Sequence, residues 1–171
     1  MKLNKDVLFG TLSGALVCAF VMIEFLLGYH STKIGDGKWL SYFGVLIPIT
    51  IIAIAIINKK NTSQGYLDLK EGMKTGIIIS LITGIITTLF MLIYNNYINP
   101  EFFSTAMNYQ TKLFKEAGKT PDEIAAIIDQ YKANQKLSAQ LISGIIGTPL
   151  MGMLPSLIIT LILRKNKPTP A

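Results

Sequence analysis

The chain has 171 residues, 50% of them hydrophobic and 15% charged, with a mean hydropathy of +0.45 and a net charge of +6. These values depart from those of soluble domains and indicate the membrane class. A single cysteine and a single histidine exclude a disulfide framework and a Cys/His metal cluster, and no basic stripe interleaved with aromatic residues indicates nucleic-acid binding, so we expect no cofactor, no metal ion and no nucleic-acid partner.

The apolar residues are gathered into four runs, each at or above the roughly 18 to 20 residues that a membrane-spanning helix needs. The runs cover residues 7–29, 39–57, 72–97 and 137–163. Between the third and fourth runs, segment 100–136 is more polar and has a helical pattern. The sequence therefore predicts an all-α, polytopic integral membrane protein. We expect a single membrane domain over residues 1–171, with four transmembrane helices and an extramembrane helical hairpin.

The first run carries a pair of glycines and one acidic residue. Gly10 and Gly14 lie on one helical face and predict close contact with a neighbouring helix. Glu24 is the acidic residue, and a carboxylate costs about 2.5 kcal/mol or more at mid-depth on insertion scales. Its position near the end of the run predicts a place in the outer third of the bilayer, on the side of the helix that points towards the bundle.

Two interpretations of Glu24 follow from this cost. In the first, its role is structural, and the carboxyl reaches the membrane surface or hydrogen-bonds to a neighbouring helix. In the second, Glu24 is a candidate functional acid that handles protons or ions, because ionisable groups inside membranes are often functional. The sequence favours the first interpretation and leaves the second open.

The first loop, residues 30–38, is rich in turn residues. Its His30 could sense pH, but the sequence favours a solvated loop histidine. The second run begins with Trp39 and Tyr42, which are typical of the membrane interface. Pro48 lies near the middle of that run. It predicts a kink, because proline removes a backbone hydrogen bond and clashes with the preceding turn.

Small residues recur at every fourth position in the third and fourth runs. This spacing keeps them on one face of each helix, where they admit a neighbouring backbone. The two sets are Gly72, Gly76, Ser80, Gly84 and Thr88 in the third run, and Gly144, Thr148, Gly152, Ser156 and Thr160 in the fourth. We therefore predict that these two helices pack together. Pro149 and Pro155 predict bends in the last helix.

The segment between the third and fourth runs contains two amphipathic helical patterns separated by Gly118. Asn99 and Pro100 have the residue types of an N-cap and a first helical residue, so they predict the start of the first helix. Thr120 and Glu123 have the spacing of a capping box and predict the start of the second. The apolar faces of these two helices are expected to pack on each other and on the mouth of the bundle.

Four crossings place both termini and the loop between the second and third helices on one side of the membrane. That side carries nine of the 16 lysine and arginine residues: Lys2, Lys5, Lys59, Lys60, Lys70, Lys74, Arg164, Lys165 and Lys167. Several of them abut helix ends, where the positive-inside rule acts most strongly. We therefore expect a multi-pass protein of the bacterial cytoplasmic (inner) membrane, with cytoplasmic termini and the helical hairpin on the outer side.

Short motifs in the chain resemble those of a known family. The stretch 65–76, Gly-Tyr-Leu-Asp-Leu-Lys-Glu-Gly-Met-Lys-Thr-Gly, is followed by Asn99-Pro100-Glu101-Phe102, by the opening Thr120-Pro121-Asp122-Glu123 and by a glycine-rich last helix that ends in Arg-Lys. Together they resemble the bacterial four-helix membrane family catalogued as domain of unknown function 4199, over nearly the whole chain. The resemblance implies the four-helix topology and a bacterial inner-membrane location. It implies no activity, since none is assigned to that family.

No catalytic constellation is evident in the sequence, because His30 and the acidic residues of the loops show no pairing. We therefore expect a non-enzymatic membrane protein of unknown role, an accessory or interaction subunit. Its partners would be the lipid bilayer and either another membrane protein or a second copy of the chain. The alternative is a small oligomeric channel or transporter in which Glu24 lies on an ion or proton pathway.

Overall fold

The computed structural model describes residues 4–166. Lys2 and Lys167, which entered the charge count above, lie outside the described residues. Within the described range the regular elements are helical, which confirms the predicted all-α fold class. The helices are α1 (Lys5–Leu26), α2 (Lys38–Thr62), α3 (Leu69–Ile93), α4 (Phe102–Glu116), α5 (Pro121–Asn134), α6 (Leu137–Ile142) and α7 (Thr148–Leu163).

Two short π-helical turns join some of these elements into longer helices. The turn Tyr94–Ile98 continues α3, and the turn Ser143–Gly147 joins α6 to α7. The described residues thus contain four helices that are long and apolar enough to cross a membrane: Lys5–Leu26, Tyr42–Thr62, Leu69–Ile98 and Leu137–Leu163. At most 28% of the apolar window of each helix is buried within the chain. The remaining apolar surface faces outward, which indicates a membrane protein.

Some helix ends differ from the predicted ones because glycine or side chains cap the backbone. The first helix ends at Leu26 instead of residue 29, since Gly28 adopts a φ of +83° and turns the chain. The third helix begins at Leu69 instead of residue 72. Asp68 Oδ1 accepts a hydrogen bond from the Glu71 backbone N–H at 2.6 Å, which completes a capping box one turn earlier.

The helices between the third and fourth spans begin in different ways. α4 starts at Phe102, two residues later than predicted, and Asn99 does not cap it. Instead, Asn99 Nδ2 donates a hydrogen bond to Tyr94 Oη at 3.0 Å. The capping box predicted for α5 is present, with the Glu123 N–H donating to Thr120 Oγ1 at 3.3 Å. That α4 and α5 form an extramembrane hairpin stays a prediction.

The central helix is α3, which packs against α1, α2 and α7. Along its contact with α7, each glycine of one helix receives a small side chain of the other. An ideal Cβ built on Gly152 would lie 2.5 Å from Ser80 Cβ, and one built on Gly76 would lie 2.5 Å from Ser156 Cβ. Further pairs repeat this arrangement: Gly72 with Thr160, Gly84 with Thr148, and Gly144 with Thr88. The two helices are therefore too close for a side chain at the glycine positions.

α1 packs on α3 through its own glycine pair. An ideal Cβ on Gly10 would lie 2.8 Å from Ile82 Cβ, and one on Gly14 would lie 2.9 Å from Ile86 Cβ. Thr83 Oγ1 also donates a hydrogen bond to the Gly10 carbonyl at 3.3 Å. Two branched aliphatic side chains of α3, Ile82 and Ile86, thus fill the space beside the glycines of α1. In the contact between α3 and α7, small hydroxyl side chains fill the corresponding space.

The three prolines of the spanning helices leave those helices continuous. Pro48 lies inside α2 and Pro155 inside α7. Pro149 comes directly after the π-helical turn Ser143–Gly147 and Thr148. Proline has no N–H to donate, and its ring needs space in the preceding turn. The π-helical turn before Pro149 has a different hydrogen-bond register and can therefore accommodate this residue.

The contact between α3 and α7 can be tested with a matched pair of alanine substitutions. Gly152→Ala is expected to lower the free energy of unfolding by about 1 to 3 kcal/mol, because the added methyl must push the two helices apart. Gly147→Ala is the control, since its Cβ would meet only the Ser143 side chain at ordinary contact distance. Thermal and denaturant unfolding in detergent measure both variants. Equal losses of stability would contradict the close packing at Gly152.

Candidate functional site

The last turn of α1 places Glu24 in the interior of the protein. The residue is only 3% exposed. The helix is closed by two backbone hydrogen bonds, from Gly28 N–H to the Phe25 carbonyl and from Tyr29 N–H to the Glu24 carbonyl, each at 2.9 Å. This pair is a Schellman motif, and the positive φ that it requires is supplied by glycine. The motif folds the chain after Gly28 back over the end of the helix, towards Glu24.

His30 follows this turn, and the prediction that it is solvated was wrong. The side chain is buried, with 8% of the residue exposed. His30 Nε2 lies 3.7 Å from Glu24 Oε2, and His30 Nδ1 lies 2.6 Å from Tyr94 Oη. The imidazole therefore bridges a carboxylate on α1 and a phenol at the end of α3.

The direction of the hydrogen bonds follows from the amide of Asn99. Its NH₂ group can only donate, and it donates to Tyr94 Oη at 3.0 Å. The Tyr94 O–H is then free to donate to His30 Nδ1, which leaves Nε2–H of a neutral imidazole facing the Glu24 carboxylate. We call Glu24, His30, Tyr94 and Asn99 the Glu24 cluster.

Aromatic rings surround the middle of the Glu24 cluster. The Tyr94 ring is fully buried and lies 5.8 Å from Phe25, 6.0 Å from Phe90 and 5.8 Å from Phe102, measured between ring centroids. The His30 ring lies 4.5 Å from that of Phe102. These rings exclude water and come from α1, α3 and α4. The first residue of α4 is thus packed directly on the imidazole.

Burial and the neighbouring carboxylate act on His30 in opposite directions. Loss of hydration disfavours the imidazolium and lowers the pKa of His30, and the nearby Glu24 carboxylate opposes this change without cancelling it. The net result is a pKa below the ordinary histidine value. The folded protein therefore favours the neutral imidazole that the hydrogen-bond directions require.

His30 also lines a cavity of about 440 Å³. The cavity lies between the first loop, the start of α2 and α4. Four aromatic side chains contribute to its wall: Tyr29, Tyr42, Phe102 and Tyr109. His30 therefore separates this cavity from the Glu24 carboxylate behind it.

A second ionisable cluster, which we call the Asp6 cluster, joins α1, α2 and α3 near the chain termini. Lys59 Nζ lies 3.3 Å from Asp6 Oδ2 and donates a hydrogen bond to Thr75 Oγ1 at 2.8 Å. Thr75 Oγ1 in turn donates to Asp6 Oδ2 at 3.4 Å. Asp6 and Glu24 are 18 residues apart on α1, or about 27 Å at 1.5 Å per residue, close to the ~30 Å thickness of a hydrocarbon core. The two clusters thus lie at opposite ends of the bundle.

The predicted site residues fall into two groups. The predicted helix-packing residues lie at the contacts of α3 with α1 and α7, and Glu24 alone belongs to the Glu24 cluster. The reasoning from sequence considered His30 but missed its burial, and it missed the roles of Tyr94 and Asn99. A signal for the burial of His30 was present in Gly28, which lies at the end of the first apolar run and is a residue typical of a helix C-terminus. Within residues 4–166, no group of three or more His, Cys, Asp or Glu side chains could hold a metal ion.

The lowered pKa of His30 predicts that acid destabilises the protein. Below the ordinary histidine pKa of about 6.5 the unfolded chain binds more protons at this residue than the folded chain does, so stability falls as the pH drops through that value. We expect the melting temperature in detergent to fall between about pH 7.5 and about pH 5.5.

Two variants make this prediction specific. His30→Gln should have a flatter pH profile, because the titrating group is removed. Glu24→Gln should have a steeper one, because the carboxylate that favours the imidazolium is lost. Identical profiles for the wild type and His30→Gln would show that His30 does not control the acid sensitivity.

The comparisons with known proteins agree with the resemblance predicted from the motifs. A family model described as "Protein of unknown function (DUF4199)" matches residues 8–165. Comparisons with curated proteins and with solved structures gave no match. The matched segment contains the Glu24 cluster and nearly all of the four apolar helices. The chain therefore belongs to the DUF4199 family, which is described as a family of unknown function.

Proposed function

We propose that this chain is a non-enzymatic integral membrane protein whose outer end responds to proton concentration and passes that response to a partner in the membrane. The observation that carries the proposal is the Glu24 cluster. Glu24 and His30 are 3% and 8% exposed and 3.7 Å apart, at the end of a helix apolar enough to cross a membrane. Histidine changes its charge in the physiological pH range. Because a buried charge at membrane depth is energetically costly, ionisable residues found there usually have a function.

Protonation of His30 would change the hydrogen bonds of the cluster. The imidazolium donates from both ring nitrogens, so Tyr94 Oη would receive hydrogen bonds from His30 and from Asn99. The proton of the Tyr94 hydroxyl would then have to turn to another acceptor. Because Phe102 packs on the rings of both His30 and Tyr94, we infer that this change is transmitted to the start of α4.

The partners of the imidazole support a non-enzymatic role. They are a carboxylate, a phenol and aromatic rings. Nucleophilic catalysis of the Ser-His-Asp type needs a nucleophile that a substrate can reach on the second imidazole nitrogen, whereas here the fully buried Tyr94 occupies that place. This set of contacts suits the binding and release of a proton.

The proposed accessory role needs a surface for a partner, either another membrane protein or a second copy of the chain. The glycine faces of α1, α3 and α7 are used within the chain, so a partner must contact other surfaces. The start of α2 offers exposed aromatic side chains at the same end as the Glu24 cluster: Trp39, Tyr42 and Phe43. Aromatic residues are enriched in the cores of protein interfaces.

We place the protein in the bacterial cytoplasmic membrane with its termini in the cytoplasm. Lys59 and Lys60 lie in the last turn of α2, and Lys165 follows α7 and pairs with the backbone of Leu67 at the same end of the bundle. A cluster of positive charge at helix ends favours the cytoplasmic side. The Glu24 cluster then lies at the outer side, where the proton concentration varies with the environment.

Reporter fusions test this orientation. Alkaline phosphatase fused after Ala171 is expected to be inactive, because the enzyme needs an oxidising compartment to form its disulfides. The same enzyme inserted at Gly118, in the turn between α4 and α5, is expected to be active. Activity at the C-terminus and none at Gly118 would reverse the orientation.

The response itself can be measured by hydrogen exchange at the amides of α4. Lowering the pH from about 7.5 to about 5.5 is expected to increase their exchange rates about fivefold or more, after correction for the intrinsic dependence of exchange on pH. A factor of about five is the lower end of the range for typical coupling between two sites. Tyr94→Phe should abolish the increase, since it removes the hydroxyl that links His30 to Asn99. Tyr97→Phe, an exposed tyrosine in the same π-helical turn, is the matched control. An unchanged response in Tyr94→Phe would contradict the proposal.

A second candidate function is an oligomeric channel or transporter with Glu24 on a proton or ion pathway. The observation that favours it is the Asp6 cluster, which places a second set of ionisable groups at the opposite end of α1. Proton or ion flux into vesicles that contain the purified protein, lost in Glu24→Gln, would favour this candidate over a purely responsive role.

A further inference from the structure

We propose that the cavity beside His30 binds the alkylammonium group of an organic cation, and that this cation and a proton on His30 exclude each other. We call it the aromatic cavity, with a wall that includes Tyr29, His30, Tyr42, Phe102, Tyr109 and Gln110. The binding of the cation stands on the cavity alone, whereas the exclusion of the proton rests on the proposed function.

The composition of the wall supports a cationic ligand. Four aromatic side chains line the cavity from the first loop, α2 and α4. The faces of aromatic rings attract ammonium groups. Among the side chains that the structure describes, no lysine or arginine belongs to this wall. The volume of about 440 Å³ lies in the range of small-molecule sites.

A neighbouring cavity provides a contrast within the same protein. It has a similar volume, about 450 Å³, and lies between the end of α3 and the segment from the end of α5 to the start of α7. Carboxamide and hydroxyl side chains dominate its wall, and it contains no aromatic residue. The cavity beside His30 thus differs from this cavity of similar volume, although a smaller cavity that shares Phe102 also has Phe103 and Tyr131 in its wall.

The charge behind the aromatic cavity also favours a cation. Glu24 Oε2 lies 3.7 Å from His30 Nε2, so the carboxylate is one imidazole away from the wall. Four phenols also contact His30 or line the cavity: Tyr94 from α3, Tyr42 from α2, Tyr109 from α4 and Tyr29 from the first loop. The first loop also carries Lys33 and Asp36, next to the lining residues Ile34 and Gly37. While His30 is neutral, the Glu24 carboxylate behind it favours a cation in the cavity.

Protonation of His30 would reverse this advantage. The imidazolium neutralises Glu24 and brings a positive charge into the wall itself, where it repels an ammonium group. By thermodynamic linkage, a bound cation must then oppose protonation of His30 to the same extent. The site would thus release its ligand on the acidic side of the pH range in which His30 titrates.

The ammonium group could come from a free cation or from the headgroup of a lipid, since the cavity lies at the end of the apolar helices. Choline chloride is the probe, and the protein is held in nanodiscs of phosphatidylglycerol, which has no ammonium group. The control ligand is 3,3-dimethylbutan-1-ol, in which carbon replaces the nitrogen of choline. We expect ligand-observed NMR at about pH 7.5 to show choline binding about tenfold or more tightly than the neutral alcohol.

Variants of the wall separate ring contacts from other effects. Tyr109→Leu is expected to weaken choline binding about 3- to 30-fold, whereas Tyr109→Phe, which keeps the ring, should stay close to the wild type. Tyr97→Leu, at an exposed tyrosine outside the cavity, should have no effect. Competition by phosphatidylcholine in the nanodisc would identify a lipid headgroup as the source of the ammonium group, and its absence would identify a free cation.

The outcomes distinguish this inference from the proposed function. Equal binding of choline and the neutral alcohol, or binding of neither, would overturn the cation site. The proposed function would be unaffected by that result, because it is tested by the acid response of α4 in the absence of choline. The affinity for choline should fall between about pH 7.5 and about pH 5.5 in the wild type and change less in His30→Gln. Choline binding that is independent of pH in the wild type would overturn the exclusion between cation and proton.

Discussion

The close contact between α3 and α7 is the constraint on which the rest of the structure depends. Lipid gives apolar helices little reason to associate, so their contact must come from backbone approach and dense packing. Each glycine of this interface faces a serine or threonine side chain of the other helix. A shift of one helix along the other by one turn would therefore bring pairs of serine and threonine side chains into collision. Because α3 is fixed in this way and also contacts α1 and α2, the position of its last turn is fixed as well. That turn carries Tyr94.

The Glu24 cluster uses this fixed phenol as its anchor. Burying a carboxylate or an imidazolium costs several kcal/mol for each ion, and the cost is reduced when the groups have partners. Gly28 turns the chain so that His30 meets Glu24, while Tyr94, whose hydroxyl accepts a hydrogen bond from Asn99, satisfies the other ring nitrogen. The cluster is therefore satisfied with a neutral imidazole, and adding a proton changes hydrogen bonds in three separate elements. A group held in this way can respond to pH without any large movement of the spanning helices.

The sequence predicted the features that depend on local periodic patterns. It missed the features that depend on contacts between segments that are far apart in the chain. The four apolar runs, the four-residue spacing of Gly72 to Thr88 and the capping box at Thr120 are all local patterns, and the helices found in the structure follow them. His30 was expected in solvent because it lies in a loop, and several of the side chains that bury it come from distant parts of the chain. Its contact with Tyr94 joins residues 64 positions apart. Asn99 illustrates the same limit: its type and its proline neighbour predict an N-cap, but its amide is used by Tyr94.

The two ionisable clusters differ in what protonation can change. At the end near the termini, Lys59, Asp6 and Thr75 form a compact set in which the lysine already neutralises the carboxylate. At the other end, the imidazole can take a proton, although burial lowers the pKa of His30 below the ordinary histidine value, and it is packed on Phe102. Between them, α3 approaches both α7 and α1 too closely to admit a side chain at the glycine positions. In the proposed function, the structural effect of protonating His30 would pass through Phe102 into α4, whereas in the other direction it would meet a closely packed bundle. This asymmetry favours a responsive role over conduction through a single chain.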